Sequence, residues 1–352
     1  MKIAIFGLTI SSSWGNGHAT IWRGLLKSMS ERGHEITFFE KDVPYYAAHR
    51  DMTEPPGVRL RLYRCWDEVF EEAKAEVSKA DAGIVTSYCP DAIEAADLLL
   101  SSGAGVKAFY DLDTPVTLKN VSSGAGTGYI GPSGLGDFDI VLSYTGGRAL
   151  SGLKDLLGAK RVEPLYGGVD PAAHRPVEPT GAYRADLSYL GTYAEDRQAA
   201  LNALLIETSK RLKGKKFIIG GSLYPDGFPW TKNIYYLSHV SPADHPAFYS
   251  SALFTLNVTR AAMADMGWCP SGRLFEAAAC GSPILTDRWA GIEDFFEPGR
   301  EIIVADTTED IIAAMSMGVT ERSKMASLAR MRALAEHGSE RRAVEFERIL
   351  SG

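Results

Sequence analysis

With 352 residues the chain is long enough for two domains rather than one, and its 45% apolar and 23% charged residues suit a globular protein that fills its cores. Lysine and arginine number 37 against 44 aspartates and glutamates, a net charge of −7 with no basic stripe, which weighs against nucleic acid as the main partner. An anionic ligand must then be met by a few placed arginines rather than by a general positive field.

The four cysteines (Cys65, Cys89, Cys269 and Cys280) lack C-x-x-C spacing, so neither a zinc site nor a disulfide framework is expected. No apolar run is long enough to cross a membrane, and Met1-Lys2-Ile3-Ala4-Ile5-Phe6-Gly7 opens on a strand, not on the core of a signal peptide. A reducing, cytoplasmic setting is the expectation.

Taken in order, Lys2 to Phe6 predicts a buried strand, Gly17 to Glu31 an amphipathic helix with Ile21, Leu25 and Met29 on one face, and His34 to Glu40 the next strand. This βαβ opening has the Rossmann pattern, although the loop from Leu8 to His18 lacks a full G-x-G-x-x-G and gives only weak support to a dinucleotide site. Further strands are predicted at Ala82 to Ser87, Val106 to Tyr110, Asp139 to Ser143 and Arg161 to Leu165. Two loops at their carboxyl ends carry acids and hydroxyls: Thr86-Ser87-Tyr88-Cys89-Pro90-Asp91 and Tyr110-Asp111-Leu112-Asp113-Thr114-Pro115. Such groups bind or deprotonate a hydroxyl acceptor, or else Asp111 and Asp113 cap a turn or helix. The span from Ser122 to Gly136 holds six glycines and predicts a mobile loop, either a lid or a surface loop without a role.

Gly167-Gly168-Val169-Asp170-Pro171 and His174-Arg175-Pro176 punctuate the chain as a linker. The alternation then restarts. Strands are predicted at Leu187 to Leu190, Lys216 to Ile219, Asn233 to Leu237 and Phe254 to Val258, the last ending at Thr259-Arg260. A helix should begin near Ser271, run through Arg273 and Glu276, and end at Gly281. Its first backbone N–H groups lack helical partners, so this end can receive a phosphate. Arg273 stands where the helix dipole favours acids, so it is indifferent or is held there to bind an anion. Arg260, at the end of the preceding strand, points toward the same place. Glu276, about one turn inside, can accept hydrogen bonds from two neighbouring hydroxyls such as those of a ribose. A buried helix with one solvated Arg and one solvated Glu is the alternative. A strand from Glu301 to Ala305 and helical sequence from Thr308 to Leu350 complete the chain.

The segment Arg273-Leu274-Phe275-Glu276-Ala277-Ala278-Ala279-Cys280-Gly281, with Leu256-Asn257-Val258-Thr259-Arg260 before it and Phe296-Glu297-Pro298-Gly299-Arg300-Glu301 after it, resembles the C-terminal half of the spore maturation protein CgeB family. That family is similar to the GT-B glycosyltransferases. The resemblance implies two Rossmann-like domains facing a central cleft, with an acceptor domain over residues 1–168, a donor domain over 169–338, and a terminal helix, 339–352, returning to the first. It implies a glycosyltransferase that moves a sugar from a nucleotide-diphosphate sugar, of UDP or dTDP type, to a hydroxyl-bearing small molecule, glycan or protein, with no cofactor and no metal. Gly-Val-Asp at 168–170 is similar to the crossing segment. Gly191, Gly272, Ser271, Tyr193 and Arg197 would surround the diphosphate with Arg260 and Arg273, although Arg197 could equally pair with Glu195 or Asp196. His239 and Val240 would hold the base by backbone contacts, and Glu276 the ribose.

On the acceptor side the resemblance implies that Trp14, Asn16, Tyr88 and Asp113 line the site, and that His18 or Asp111 is the base if the reaction inverts. His18 as a helix-opening residue bonded to the backbone is the alternative. One departure bears on stereochemistry: Trp268 stands where retaining GT-B enzymes commonly carry a second glutamate. Nucleotide-sugar epimerisation and a non-catalytic binding module are the rival functions.

Overall fold

The structure, a computed structural model, describes residues 1–15 and 17–352; the acceptor-side expectation for Asn16 lies outside the described residues. It divides into two units, Met1–Gly167 with Ser339–Gly352, and Gly168–Gly338. Each is built on its own parallel sheet.

The first unit carries β1 (Lys2–Gly7), β2 (Glu35–Lys41), β3 (Val58–Tyr63), β4 (Ala82–Thr86), β5 (Val106–Asp111), β6 (Ile140–Ser143) and β7 (Val162–Pro164), in the order β3-β2-β1-β4-β5-β6-β7. Strands covered on both faces read as unbroken apolar runs, and Lys2–Gly7 is buried from Ile3 onward. The strand order reverses between β1 and β4, and in open sheets of this kind ligands bind beyond the carboxyl ends at that reversal. β3 is a strand beyond those predicted from the sequence. Val58-Arg59-Leu60-Arg61-Leu62-Tyr63 alternates with the period of a strand, and it forms the sheet edge, where Arg59 and Arg61 pair with Glu72 and Glu76 of the Trp66–Val77 helix.

The last helix, Ser339–Leu350, belongs to this unit, far from it in sequence. Its apolar face (Ala343, Phe346, Ile349, Leu350) joins the core formed by Ile3, Ile5, Trp22 and Leu25. Polar contacts fix its register on the His18–Glu31 helix and beyond: Ser28 Oγ donates to Ser339 Oγ at 2.9 Å, Arg32 meets Glu347 at 2.6 Å, and Arg342 Nε donates to the Gly167 carbonyl at 3.0 Å.

The second unit repeats the plan with β8 (Ala185–Leu190), β9 (Phe217–Gly220), β10 (Ile234–Leu237), β11 (Ala252–Asn257), β12 (Ile284–Thr286) and β13 (Ile303–Val304), in the order β10-β9-β8-β11-β12-β13. Here the reversal lies between β8 and β11, so Gly191 and Arg260 both stand at ligand-binding strand ends. Among the described residues, no helix is long and apolar enough to cross a membrane.

Candidate functional site

In the second unit three arginines converge on the carboxyl ends of β8 and β11. The Gly272–Ala279 helix begins where expected, with Ser271 extended at its N-cap, but the Ser271 hydroxyl does not cap the helix; it accepts a hydrogen bond from Arg273 Nε at 3.0 Å. Arg273 Nη1 donates to the Leu190 carbonyl, and the guanidinium lies 5.8 Å from the centre of the Tyr189 ring. Its approach explains Gly191: a Cβ there would come within 2.6 Å of Arg273 Nη1 and 2.7 Å of the Tyr189 hydroxyl. Gly221, with φ +144, is bound to its place in the same way, since a Cβ would stand 2.1 Å from the Gly191 carbonyl oxygen.

Arg197 pairs with neither Glu195 nor Asp196, against the sequence alternative. Its Nη1 donates to the Tyr189 hydroxyl at 3.1 Å and to the Thr192 carbonyl at 2.9 Å, fixing the 191–193 loop, and burial lowers its pKa from the usual arginine range. Asp196 is taken instead by Arg260, whose Nε lies 3.2 Å from both carboxylate oxygens. That pair is partly open to solvent. Tyr193 packs edge-on against Tyr224, which donates to the Gly191 carbonyl at 3.0 Å. Val240 is buried against Gly220, and His239 is exposed.

Glu276 is not a solvated surface acid. It is 8% exposed and accepts a hydrogen bond from the Tyr249 hydroxyl at 3.3 Å. Two imidazoles, which the sequence reading did not select, face it: His245 Nδ1 at 3.7 Å and His174 Nε2 at 4.0 Å. His245 and Tyr249 are four apart on one face of the His245–Ser251 helix, and the next turn of chain after Asp170 delivers His174. Their sequence context, beside Pro246 and Pro176, reads as punctuation and conceals them.

Trp268 has a left-handed backbone, φ +44, and its Nε1 donates to Asp294 Oδ2 at 2.5 Å. Its ring occupies the space over Gly291, where a Cβ would fall within 2.3 Å. The side chain at this place is therefore committed to packing.

In the first unit the residues at the β1/β4 reversal form an aromatic and acidic group. His18 opens its helix and its ring lies 5.7 Å from that of Tyr88; burial pushes its pKa down to about 4. Tyr88 has φ +63, an uncommon conformation for a bulky residue, and donates its hydroxyl to Asp113 Oδ2 at 3.2 Å. Tyr129 stands 5.0 Å from Tyr88 and bonds Thr117 at 2.8 Å. Asp111 is fully buried and accepts the Asp113 N–H at 3.0 Å, so it shapes the turn, as one sequence reading had it; burial raises its pKa to about 6. Asp113 occupies the N-cap position of the Thr114–Ser122 helix without capping it. Trp14 stacks on His49, ring centres 4.1 Å apart.

Within the glycine-rich span Tyr129 and Leu135 are buried, 7% and 1% exposed, while residues 122–126 are exposed. The sequence also missed Glu40, wholly buried in β2, which accepts bonds from Thr9 Oγ1, Ile10 N, Ser11 N and Ser11 Oγ at 2.5–3.0 Å. This carboxylate holds the start of the loop that leads to His18.

Comparison with solved structures covers the whole chain. Sucrose-phosphate synthase from Thermosynechococcus elongatus aligns with a TM-score of 0.71 at 13% identity, over 99% of this chain and 98% of that one. HepE from Anabaena, solved with UDP and glucose, gives 0.68 at 11% identity over 100% and 99%. An alpha-glucosyltransferase, solved with UDP and a 13-mer DNA containing a central A:G mismatch, gives 0.70 at 13% identity over 100% and 99%. The fold is GT-B.

A family described as Glycosyl transferase-like matches residues 197–348, less than half of the chain. That GT-B segment begins at Arg197 and contains Arg260, Arg273 and Glu276. No curated protein sequence matches.

Proposed function

We propose that the chain is a glycosyltransferase of CgeB-like kind, whose second unit, Gly168–Gly338, holds a nucleotide-diphosphate sugar and whose first unit, Met1–Gly167 with Ser339–Gly352, holds a hydroxyl-bearing acceptor. The observation that carries this reading is the convergence of Arg197, Arg260, Arg273 and the N-terminus of the Gly272–Ala279 helix on the strand ends at the β8/β11 reversal, with Glu276 one turn inside. Cations and helix N–H groups together suit a diphosphate. They also stabilise the charge that grows on it as it departs, a task that arginines perform without a metal.

Glu276 accepts the ribose hydroxyls, and Val240 and His239 lie on the loop that meets the base by backbone contacts. UDP is the favoured nucleotide because HepE and the alpha-glucosyltransferase were solved with it. On the acceptor side Tyr88, Asp113 and His18 form the group that meets a hydroxyl. Small molecules, glycans and proteins are the acceptor classes; the net charge of −7 weighs against nucleic acid, although one GT-B relative was solved with DNA. The four cysteines are free thiols, which supports a reducing, cytoplasmic setting. Because Trp268 is committed to packing, retention rests on the departing phosphate taking the acceptor proton rather than on a carboxylate at that place.

A thermal-shift panel of nucleotides and nucleotide sugars tests the donor half, since a ligand that binds only the folded state raises its melting temperature by mass action. The reading expects UDP and at least one UDP-sugar to stabilise the chain and Glu276→Gln to lose that response. No shift with any nucleotide diphosphate would contradict it.

A further inference from the structure

The group around Glu276 is more than a ribose acceptor needs. His174 Nε2, His245 Nδ1 and Glu276 Oε2 come from three separate elements of one unit, and the three donor atoms all lie within 4.8 Å of one another. The two His–Glu distances, 4.0 and 3.7 Å, exceed hydrogen-bond length. Among the described residues neither ring nitrogen of His174 has a hydrogen-bond partner, and nor does His245 Nδ1, although His174 is only 8% exposed. Buried polar atoms are nearly always partnered, so two unpartnered imidazole nitrogens facing one carboxylate, His174 Nε2 and His245 Nδ1, ask for a common ligand.

Two imidazoles and a carboxylate are the donor set of a transition metal, and three protein ligands with an open fourth position describe a zinc site. Tetrahedral Zn2+ bonds of about 2.0–2.2 Å place neighbouring ligand atoms roughly 3.4 Å apart, so modest side-chain movement closes the set. Ligating groups are normally oriented by outer hydrogen bonds, and the Tyr249 hydroxyl donates one to Glu276. We propose that His174, His245 and Glu276 bind a divalent transition metal ion, with Zn2+ the fitting probe. The site goes beyond the donor reading and shares only Glu276 with it, so metal and ribose are alternative occupants of that carboxylate.

The test is isothermal titration of the full chain, stripped with a chelator and dialysed, with Zn2+ alone in nucleotide-free buffer. One Zn2+ per chain is expected, with affinity falling about tenfold or more in each of His174→Gln, His245→Ala and Glu276→Gln, and unchanged in His49→Ala. Co2+ loading adds a visible tetrahedral spectrum that the same three variants lose, and circular dichroism establishes that each is folded. Absence of binding in the wild type, or equal affinity in folded His174→Gln and His245→Ala, overturns the site. Because nucleotide is absent, failure of the donor reading leaves this result standing.

Discussion

Glu276 can bind a ribose only while no metal holds its carboxylate, whose Oε2 faces the Tyr249 hydroxyl and both imidazoles. Glu276→Ala should therefore weaken UDP binding by about 1.5–3 kcal/mol, the scale of hydrogen bonds to a charged group. Calorimetry on the folded variant checks it, and an unchanged dissociation constant removes Glu276 from the donor site. The arginines divide by their surroundings. Arg260→Ala loses a partly solvated pair with Asp196, itself worth about 1 kcal/mol or less in stability, and should lower turnover. Arg273→Ala should cost both, because Arg273 also bonds Ser271 and Leu190. On the acceptor side, burial separates two candidate bases, His18 pushed down to about 4 and Asp111 raised to about 6. A base acts deprotonated, so activity falls as pH drops through its pKa. The acid limb of kcat/KM should lie near pH 4 for His18 and near pH 6 for Asp111, and its loss in His18→Ala or Asp111→Asn assigns the role. Arg260, Arg273 and Glu276 were legible in sequence because they cluster around one break and one helix. His174, His245 and Glu40 were not, since each acts through a partner tens of residues or more away that only the fold brings near.

At the scale of elements, the pairing of Ser339–Leu350 with the first unit depends on Glu347, which meets both Arg32 and His34 at 2.6 Å. The hydrogen bond from Arg32, aided by His34, holds its carboxyl down at about 2 against an ordinary 4.5. A depressed acid contributes stability above its unfolded pKa and loses it as pH falls through the folded one. Glu347→Gln should therefore lower the melting temperature at pH 7 and leave it little changed near pH 2, and an equal deficit at both pH values would show that the pair does not stabilise the helix. The strands were read from continuous apolar runs, which two-sided burial imposes, whereas β3 escaped because edge position replaces that run with an alternation of Arg and aliphatic residues. In the glycine-rich span, glycine count gives conformational freedom without showing which residues are held, and Tyr129 and Leu135 are the ones that burial holds.

At the scale of the whole molecule, two parallel sheets each reverse strand order once, and each reversal gathers the polar residues that the sequence had placed at strand ends. If arginines and a helix N-terminus balance the leaving diphosphate, turnover should survive EDTA, and should rise if a metal on His174, His245 and Glu276 had been excluding the donor. Abolition of turnover by EDTA, restored by added metal, would contradict the metal-free arrangement. The most direct test of the glycosyltransferase reading is release of UDP from a panel of UDP-sugars, measured with and without mixed hydroxyl acceptors in wild type and Glu276→Gln. The account predicts acceptor-dependent UDP release by the wild type that Glu276→Gln loses. Conversion of a donor to an isomeric sugar nucleotide without acceptor, or tight UDP-sugar binding with no turnover under any acceptor, would contradict it.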